Sequence, residues 1–375
     1  MWKTQQETAS NHKAAAMRVF KLFFTGDYLN EQGELAVGDI GLDVIGDAPH
    51  IEVGFLGDQR PLPGEENYWD RLYSLEVCPH HIKEANGLVI FRPWVRASAF
   101  ANGAENLVAI GRAGAGYDKI DLEACTANDV VVFNAPHTLV HSTASAAMTL
   151  ILALAKKLEQ QERLARSGRW DRQGDMMGDD LRGKTLGIVG LGKTGAELVR
   201  LVAPFEMRVL AYSPNADSNQ ARALGVTLVS TLEEVLGEAD FISLHCRLTE
   251  RTRRMFGERE FRLMKRSAYF INVARGEIVH QPALVRALRE GWIAGAGLDV
   301  FEQEPLPASD PLLKFENVIL TPHWLASTRQ AGRATMKSIM EGMLRVAKGG
   351  IPENVVNTEV LSRPGFQKKL SRFSV

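Results

Sequence analysis

Short apolar runs alternate with amphipathic stretches along nearly the whole chain, a rhythm that predicts parallel strands joined by helical crossovers. In the first third, Arg18 to Phe24, Ile51 to Phe55, Leu88 to Phe91, Leu107 to Ile110 and Val130 to Phe133 are rich in β-branched or aromatic residues and read as strands. From Ser142 to about Arg166 the pattern turns helical, apolar first and then charged (KKLEQQERLAR), which predicts one long helix that starts buried and ends exposed. A second series of strands is predicted at Thr185 to Val189, Arg208 to Tyr212, Thr227 to Val229, Phe241 to His245, Ala268 to Asn272, Gly295 to Asp299 and Val318 to Leu320. After Pro322 a closing helix over about Leu325 to Ala347 leads into a polar tail containing Pro352 and Pro364. The fold class is α/β, and no repeat at solenoid or propeller spacing interrupts it.

Length and charge narrow the picture. The 375 residues exceed what one hydrophobic core organises, which predicts about two domains. Lys and Arg total 44 against 45 Asp and Glu, so the chain lacks the basic excess of a general nucleic-acid or anionic-membrane binder. The most apolar stretch, Ala144 to Ala155, meets Lys156 and Lys157 before it reaches the roughly 20 residues a membrane crossing needs, so it reads as a buried helix. The three cysteines, Cys78, Cys125 and Cys246, form no CxxC pair and lie near no His at zinc-like spacing, which predicts a reduced, cytoplasmic chain without a metal site. Residues 1–16 are polar and without the apolar centre of a signal peptide, and read as a disordered or added leader.

The candidate chemistry begins at Thr185-Leu-Gly-Ile-Val-Gly-Leu-Gly-Lys-Thr-Gly-Ala, a strand running into GxGxxG and then a helix. Gly190 permits the tight turn, Gly192 lets the backbone approach a pyrophosphate, and Gly195 allows close helix packing, with Lys193 and Thr194 at the helix start where amides receive the anion. The acidic residue that takes the adenosine ribose hydroxyls is expected at the end of the next strand, where Ser213 and Pro214 stand. No carboxylate there repels a 2′-phosphate and no Arg binds one, so the cofactor reads as NAD with NADP open.

Three residues after predicted strands have the types needed to reduce a carbonyl: Arg275 in Asn272-Val-Ala-Arg-Gly-Glu, Glu304 in Leu298-Asp-Val-Phe-Glu-Gln-Glu-Pro and His323 in Leu320-Thr-Pro-His. Groups just beyond strand ends converge on the ligand crevice of an open α/β sheet. Protonated His323 can supply a proton to the forming alkoxide, Glu304 can stabilise its imidazolium and orient the ring, and the planar fork of Arg275 suits the carboxylate of a 2-keto acid.

At these residues the sequence closely resembles the D-isomer-specific 2-hydroxyacid dehydrogenase family, with its NxxRG, LDVFExEP and TPH signatures in order. The resemblance covers about Met17 to Asn357 and implies that Arg275, Glu304 and His323 are the catalytic arginine, glutamate and histidine. It places Asp299 and Thr143 beside the nicotinamide end of the cofactor, makes Ala274 a cofactor-binding residue, and sets Cys246 and Thr252 in a segment like HxPLTxxT that flanks it. Gly111-Arg-Ala-Gly-Ala-Gly-Tyr-Asp-Lys-Ile-Asp looks like the family's RxGxGxDNID segment, which assigns the amides of Ala115 and Gly116 to the substrate carboxylate. The implied architecture is two Rossmann-like or flavodoxin-like domains with parallel sheets. A discontinuous substrate domain (17–134 and 326–375) encloses an NAD(P)-binding Rossmann domain (135–325), with the cleft between them. The implied reaction is reversible reduction of a 2-keto acid to a D-2-hydroxy acid by a homodimer, with no nucleic-acid or membrane partner.

Departures from the family pattern carry their own expectations. Arg247 stands where Pro is common and reads as a solvated arginine, His280 replaces an Asp, and Ser145 and Ala146 replace an acidic-His pair. Trp324 follows the catalytic-type histidine where a smaller residue is usual, and reads as a structural tryptophan. Arg92, on a loop facing the cleft, is a substrate-binding candidate for a second polar or anionic group, with an arginine snorkelling over its own loop as the competing reading. Two other functions stay open on sequence. One is a nicotinamide-dinucleotide-sensing, corepressor-like interaction protein; the other is formate oxidation, which needs no proton exchange at an alcohol, so the retained Glu304 and His323 pair weighs against it.

Overall fold

The computed structural model describes residues 18–46 and 48–374 of the chain; the leader expected at 1–16 lies outside them. Among the described residues, twelve strands build two parallel sheets. The first contains β1 (Phe20–Phe24), β2 (Ile51–Phe55), β3 (Gly87–Ile90), β4 (Ala109–Arg112) and β5 (Val131–Asn134), in the order β2-β1-β3-β4-β5. The second contains β6 (Thr185–Val189), β7 (Arg208–Tyr212), β8 (Thr227–Val229), β9 (Phe241–Leu244), β10 (Tyr269–Asn272), β11 (Gly295–Leu298) and β12 (Val318–Leu320), in the order β12-β11-β10-β9-β6-β7-β8. The runs Gly-Leu-Val-Ile of β3 and Thr-Leu-Gly-Ile-Val of β6 are buried at every position, because layers on both faces of a parallel sheet remove the alternation of a half-exposed strand. All twelve predicted strands are present. The largest shift is at β4: Leu107 and Val108 are buried, but the Val108 amide donates to Asn86 O at 2.8 Å, so sheet pairing starts two residues later.

The long helix expected over Ser142 to Arg166 is two helices, Val140–Ala155 and Leu158–Arg166. Lys157 between them has φ +50°, and Ala155 O accepts from Asp179 N at 2.7 Å. The carbonyl that would continue the helix is thus taken by a distant amide, a tertiary contact that no local propensity reveals. The buried face of Val140–Ala155, including Leu150, Ile151 and Leu154, packs on β10 and β11 of the second sheet.

The closing helix is Arg329–Val346, starting four residues later than expected with Thr328 Oγ1 accepting from Ala331 N at 3.2 Å. Its Met336, Ile339, Met340, Met343 and Val346 return to the first sheet, where Gly342 lies against the Phe133 ring so closely that a Cβ would come within 2.3 Å of it. The segment read as a polar tail is also part of that core. Asn357 Oδ1 accepts from Val132 N at 2.8 Å, and helix Pro364–Leu370 brings in Phe366, Leu370 and then Phe373. Lys369 Nζ donates to the carbonyls of Leu107, Asn128 and Asp129, and burial pushes its pKa down to about 8. Two apolar core positions, Phe366 and Leu370, in a seven-residue helix look polar in the sequence.

Candidate active site

In the second sheet, β6 begins the series and its neighbours β9 and β7 leave in opposite directions, so the β6–β9 boundary is a topological switch point. The glycine turn after β6 stands there. Gly190 has φ +98°, and a Cβ on it would lie 2.6 Å from Cys246 N and 2.8 Å from His245 C, just beyond β9. A Cβ on Gly195 would lie 2.7 Å from Gly190 O, whereas one on Gly192 would meet nothing within 4 Å. The first and third glycines therefore satisfy the protein's own packing, and the second keeps space open at the N-terminus of helix Lys193–Val202. That cradle fits a dinucleotide pyrophosphate. Lys193 and Thr194 open the helix, with Lys193 Nζ 2.9 Å from His137 Nδ1, and Ser213 and Pro214 follow β7. Thr143 lies in the first turn of Val140–Ala155.

The loop after β9 is held by its own hydroxyls. Thr252 Oγ1 donates to Arg247 O at 2.7 Å and accepts from Thr249 N at 2.8 Å. Burial raises the Cys246 thiol to about 11, which leaves it protonated and unreactive. His245 is part-buried; its Nε2 is 2.9 Å from Ser243 Oγ, its buried Nδ1 has no partner among the described residues, and desolvation pushes its pKa down to about 4.

Arg275 meets the glycine turn of the first sheet. A Cβ on Gly116 would lie 1.6 Å from Arg275 Nη2, so only glycine admits the guanidinium there. Arg275 Nε donates to Asp118 Oδ2 at 2.8 Å and Nη1 donates to Ala274 O at 2.7 Å, while the Asn272 side chain fixes the loop through Arg275 O and Ala274 N. Burial works against the Asp118 carboxylate, but the charge and hydrogen bond of Arg275 hold its pKa below the usual range. Ala115 O accepts from Asn134 Nδ2 at 2.5 Å, and among the described residues the amides of Ala115 and Gly116 donate no hydrogen bond. Asp118 lies inside the glycine-rich segment that the sequence singles out, yet its partnership with Arg275, 157 positions away, has no local signal.

His323 Nδ1 donates to Glu304 Oε2 at 2.8 Å, leaving Nε2 as the ring's working nitrogen. Glu304 Oε1 accepts from Phe301 N at 3.1 Å. Burial opposes ionisation of Glu304, but His323, the Phe301 amide and Lys119 keep its pKa below the ordinary value. His323 has φ +52°, an uncommon conformation for a non-glycine residue. Buried Asp299 holds the loop in that shape, its Oδ1 accepting from Thr321 Oγ1, Trp324 N and Leu325 N at 2.6, 3.0 and 3.1 Å. Gly276 packs against Phe301, joining the Arg275 and Glu304 loops.

Arg247 is exposed and Arg92 is half-buried, and each has a protein partner. Arg247 donates to the Tyr117 hydroxyl with its guanidinium 4.8 Å from the ring centroid, and so bridges the second sheet's loop to the first sheet's turn. Arg92 is 17% exposed in its side chain; its Nη1 lies 3.7 Å from buried Asp27, and its amide donates to Asp27 Oδ2 at 3.0 Å. Trp324 is 44% exposed and lies edge-on to Phe91 of the first sheet instead of packing in a core.

Asp58, His80 and His81 also bring three ligand atoms within 4.8 Å of one another. His81 Nδ1 accepts from Cys78 N at 2.9 Å, however, so the proton sits on Nε2 and points at Asp58, 2.8 Å away. That tautomer offers no lone pair to an ion.

Comparison with known proteins follows this geometry. The family profile for D-isomer specific 2-hydroxyacid dehydrogenase, NAD binding domain, matches residues 148–324. A glyoxylate reductase of Korarchaeum cryptofilum is 41% identical over 324 residues, spanning 85% of this chain and 94% of that relative. The chain belongs to the D-isomer specific 2-hydroxyacid dehydrogenase family. Among other members, a D-3-phosphoglycerate dehydrogenase of Methanocaldococcus jannaschii is 42% identical over 276 residues, 74% of this chain and 52% of that one. The solved TT0316 protein of Thermus thermophilus superposes with a TM-score of 0.75 at 30% identity, covering 90% of this chain and 100% of its own. A D-lactate dehydrogenase of Aquifex aeolicus, complexed with NAD and lactic acid, gives 0.74 at 26% identity over 90% and 99%. As a family member the chain is an NAD-dependent oxidoreductase that interconverts 2-keto and 2-hydroxy acids, and the two parallel-sheet units are the family's Rossmann-like fold. Among the described residues no helix is long and apolar enough to cross a membrane.

Proposed function

We propose that Arg275, Glu304 and His323 carry the reduction of a 2-keto acid to a D-2-hydroxy acid, in which keto acid, NADH and one proton become hydroxy acid and NAD⁺. The observation that carries this reading is the 2.8 Å bond from His323 Nδ1 to Glu304, which orients the ring and leaves Nε2 to exchange the proton. When bound, NADH supplies the hydride. The turn at Gly190, Gly192 and Gly195 holds the pyrophosphate, and Asp299, Thr143, Ala274, Cys246 and Thr252 line the nicotinamide end. The amides of Ala115 and Gly116 and the fork of Arg275 bind the substrate carboxylate, with Asp118 positioning the fork. His323 Nε2 gives its proton to the forming alkoxide and Glu304 stabilises the imidazolium until then. In the oxidative direction neutral His323 accepts the proton.

The chain divides into a substrate domain of 17–134 and 326–375 and a cofactor domain of 135–325. Closure between them excludes water and aligns the reacting groups. The free cysteines support a reduced, cytoplasmic setting. A homodimer joined through cofactor domains is supported by exposed Trp170 and Met177 on the connection into β6, and light scattering tests it. The deciding assay follows loss of NADH and NADPH absorbance with 2-keto acids, starting with glyoxylate, because the Korarchaeum cryptofilum relative is named a glyoxylate reductase. Turnover is expected without any protein partner, and Arg275→Ala abolishes it; NADH binding without turnover across the acids refutes the reading in favour of a sensing role.

A further inference from the structure

The turn after β4 is pinned at both ends by its own half of the molecule. Asn134 Nδ2 donates to Ala115 O at 2.5 Å and Ala135 N to Gly114 O at 3.1 Å; beyond the turn, Val95 N donates to Lys119 O at 2.9 Å and Asp121 N to Val95 O at 2.8 Å. The middle of the turn is held differently. Tyr117 and Asp118, which follow Gly116, each accept one hydrogen bond from another side chain among the described residues, and both donors are arginines of the second sheet. Arg275 follows β10 and donates to Asp118; Arg247 follows β9, the neighbouring strand, and donates to the Tyr117 hydroxyl.

Neither end of the Arg247 contact is free to drift. On its own side, Thr252 Oγ1 donates to Arg247 O at 2.7 Å, and the preceding Cys246 lies so close to Gly190 that a Cβ there would come within 2.6 Å of Cys246 N. On the other side, the Tyr117 ring packs against the hydrophobic cluster that contains Val95, Ile120 and Val132. The guanidinium lies 4.8 Å from the ring centroid and forms no ion pair among the described residues, so a ring face and a phenol oxygen are what hold it. Proline, common at this position in the family, has no donor for that contact.

The consequence falls on Gly116. Its amide and that of Ala115 donate no hydrogen bond among the described residues, and they lie one and two positions before Tyr117. Two successive amides bind a carboxylate well only when both point at it, and a shift of about 1 Å is enough to spoil such a pair. Arg275 has a double duty, because the fork that bonds Asp118 is also the one that receives the substrate. Arg247 has only the turn to hold.

We propose that Arg247 is a positioning residue for the substrate acid: through Tyr117 it keeps the Ala115 and Gly116 amides in register with the Arg275 fork, without touching the substrate. The inference rests on the assignment of those amides to the substrate carboxylate given above.

The test is steady-state reduction of glyoxylate, or of whichever 2-keto acid the enzyme turns over, beside NADH binding followed by fluorescence titration. Arg247→Ala is expected to raise KM for the acid about threefold, with kcat and NADH affinity unchanged. Arg247→Lys, which keeps a cation and a donor, should restore most of the original KM, a rescue that a merely structural role would not give. Tyr117→Phe removes the acceptor and keeps the ring; it should raise KM about twofold by itself and add nothing in the Arg247→Ala background. Melting temperatures show whether each variant is folded. An unchanged KM in folded Arg247→Ala, or increases that multiply in the double variant, overturns the inference while the proposed reaction stands. Weaker NADH binding at unchanged KM also overturns it, by assigning Arg247 to the cofactor. Silence with every acid despite NADH binding overturns the proposed reaction, and the inference with it.

Discussion

Two glycine turns, one after β6 and one after β4, use the missing side chain for opposite ends. At Gly192 the space a Cβ would fill is empty, kept for a ligand the protein must let in. At Gly116 the space holds the guanidinium of Arg275, a group the protein brings from its other sheet. The same residue type in the same strand-to-turn context thus marks a ligand's entry in one place and an internal junction in the other. A motif identifies the turn, but only the far side of the contact says which use it serves.

Breaking the internal junction should have the largest effect. Gly116→Ala puts a methyl group where Nη2 lies, displacing Arg275 by an ångström or more; a fall of about 100-fold in kcat/KM is expected in steady-state assays, with melting nearly unchanged. The ledge on which the ligand-facing turn rests is sensitive to acid instead. The folded pKa of His245, about 4, lies below its unfolded value near 6.5, so the unfolded chain binds more protons between them. Stability therefore rises with pH across that window and is lost as pH falls through it. Urea titrations should show about 2 kcal/mol less stability at pH 5 than at pH 7 from this group, and His245→Gln should remove that part of the slope.

Gly192→Ala should sharpen the contrast, because it intrudes on a ligand and on no protein atom. The expected result is about tenfold weaker NADH binding by fluorescence titration with an unchanged melting temperature. A clear loss of stability would contradict the ligand-facing assignment. The smallest effect is expected at the bridge from the loop after β9 to the turn after β4: Arg247→Ala removes the cation held over Tyr117, and kcat/KM should fall by roughly threefold. Glu304→Gln tests the proton step separately, by moving the reduction profile to more acidic pH; an unshifted profile would exclude Glu304 from stabilising the imidazolium.

What was legible in the sequence was local. Twelve strands, the GxGxxG turn and the order of Arg275, Glu304 and His323 are written as contiguous patterns. The break at Lys157 was hidden because Asp179 makes it. The ion pair of Arg275 with Asp118 and the stack of Arg247 on Tyr117 were hidden because each joins loops more than a hundred positions apart. Arg92 was visible as an arginine just after a strand, but its partner Asp27 lies 65 residues upstream and turns a surface cation into a half-buried one.

The return of helix Arg329–Val346 and residues 357–373 to the first sheet sets an order of assembly during synthesis. The seven strands of the second sheet and their covering helices are complete once residue 320 has left the ribosome. The first sheet, although its strands are made earliest, still lacks Ile339, Met343, Phe366 and Phe373 from its core at that moment. The half translated first is therefore the half that finishes folding last, and it spends most of the chain's synthesis with Phe20, Leu22 and Phe133 in want of the partners that will cover them. That interval is when a chaperone would find this protein.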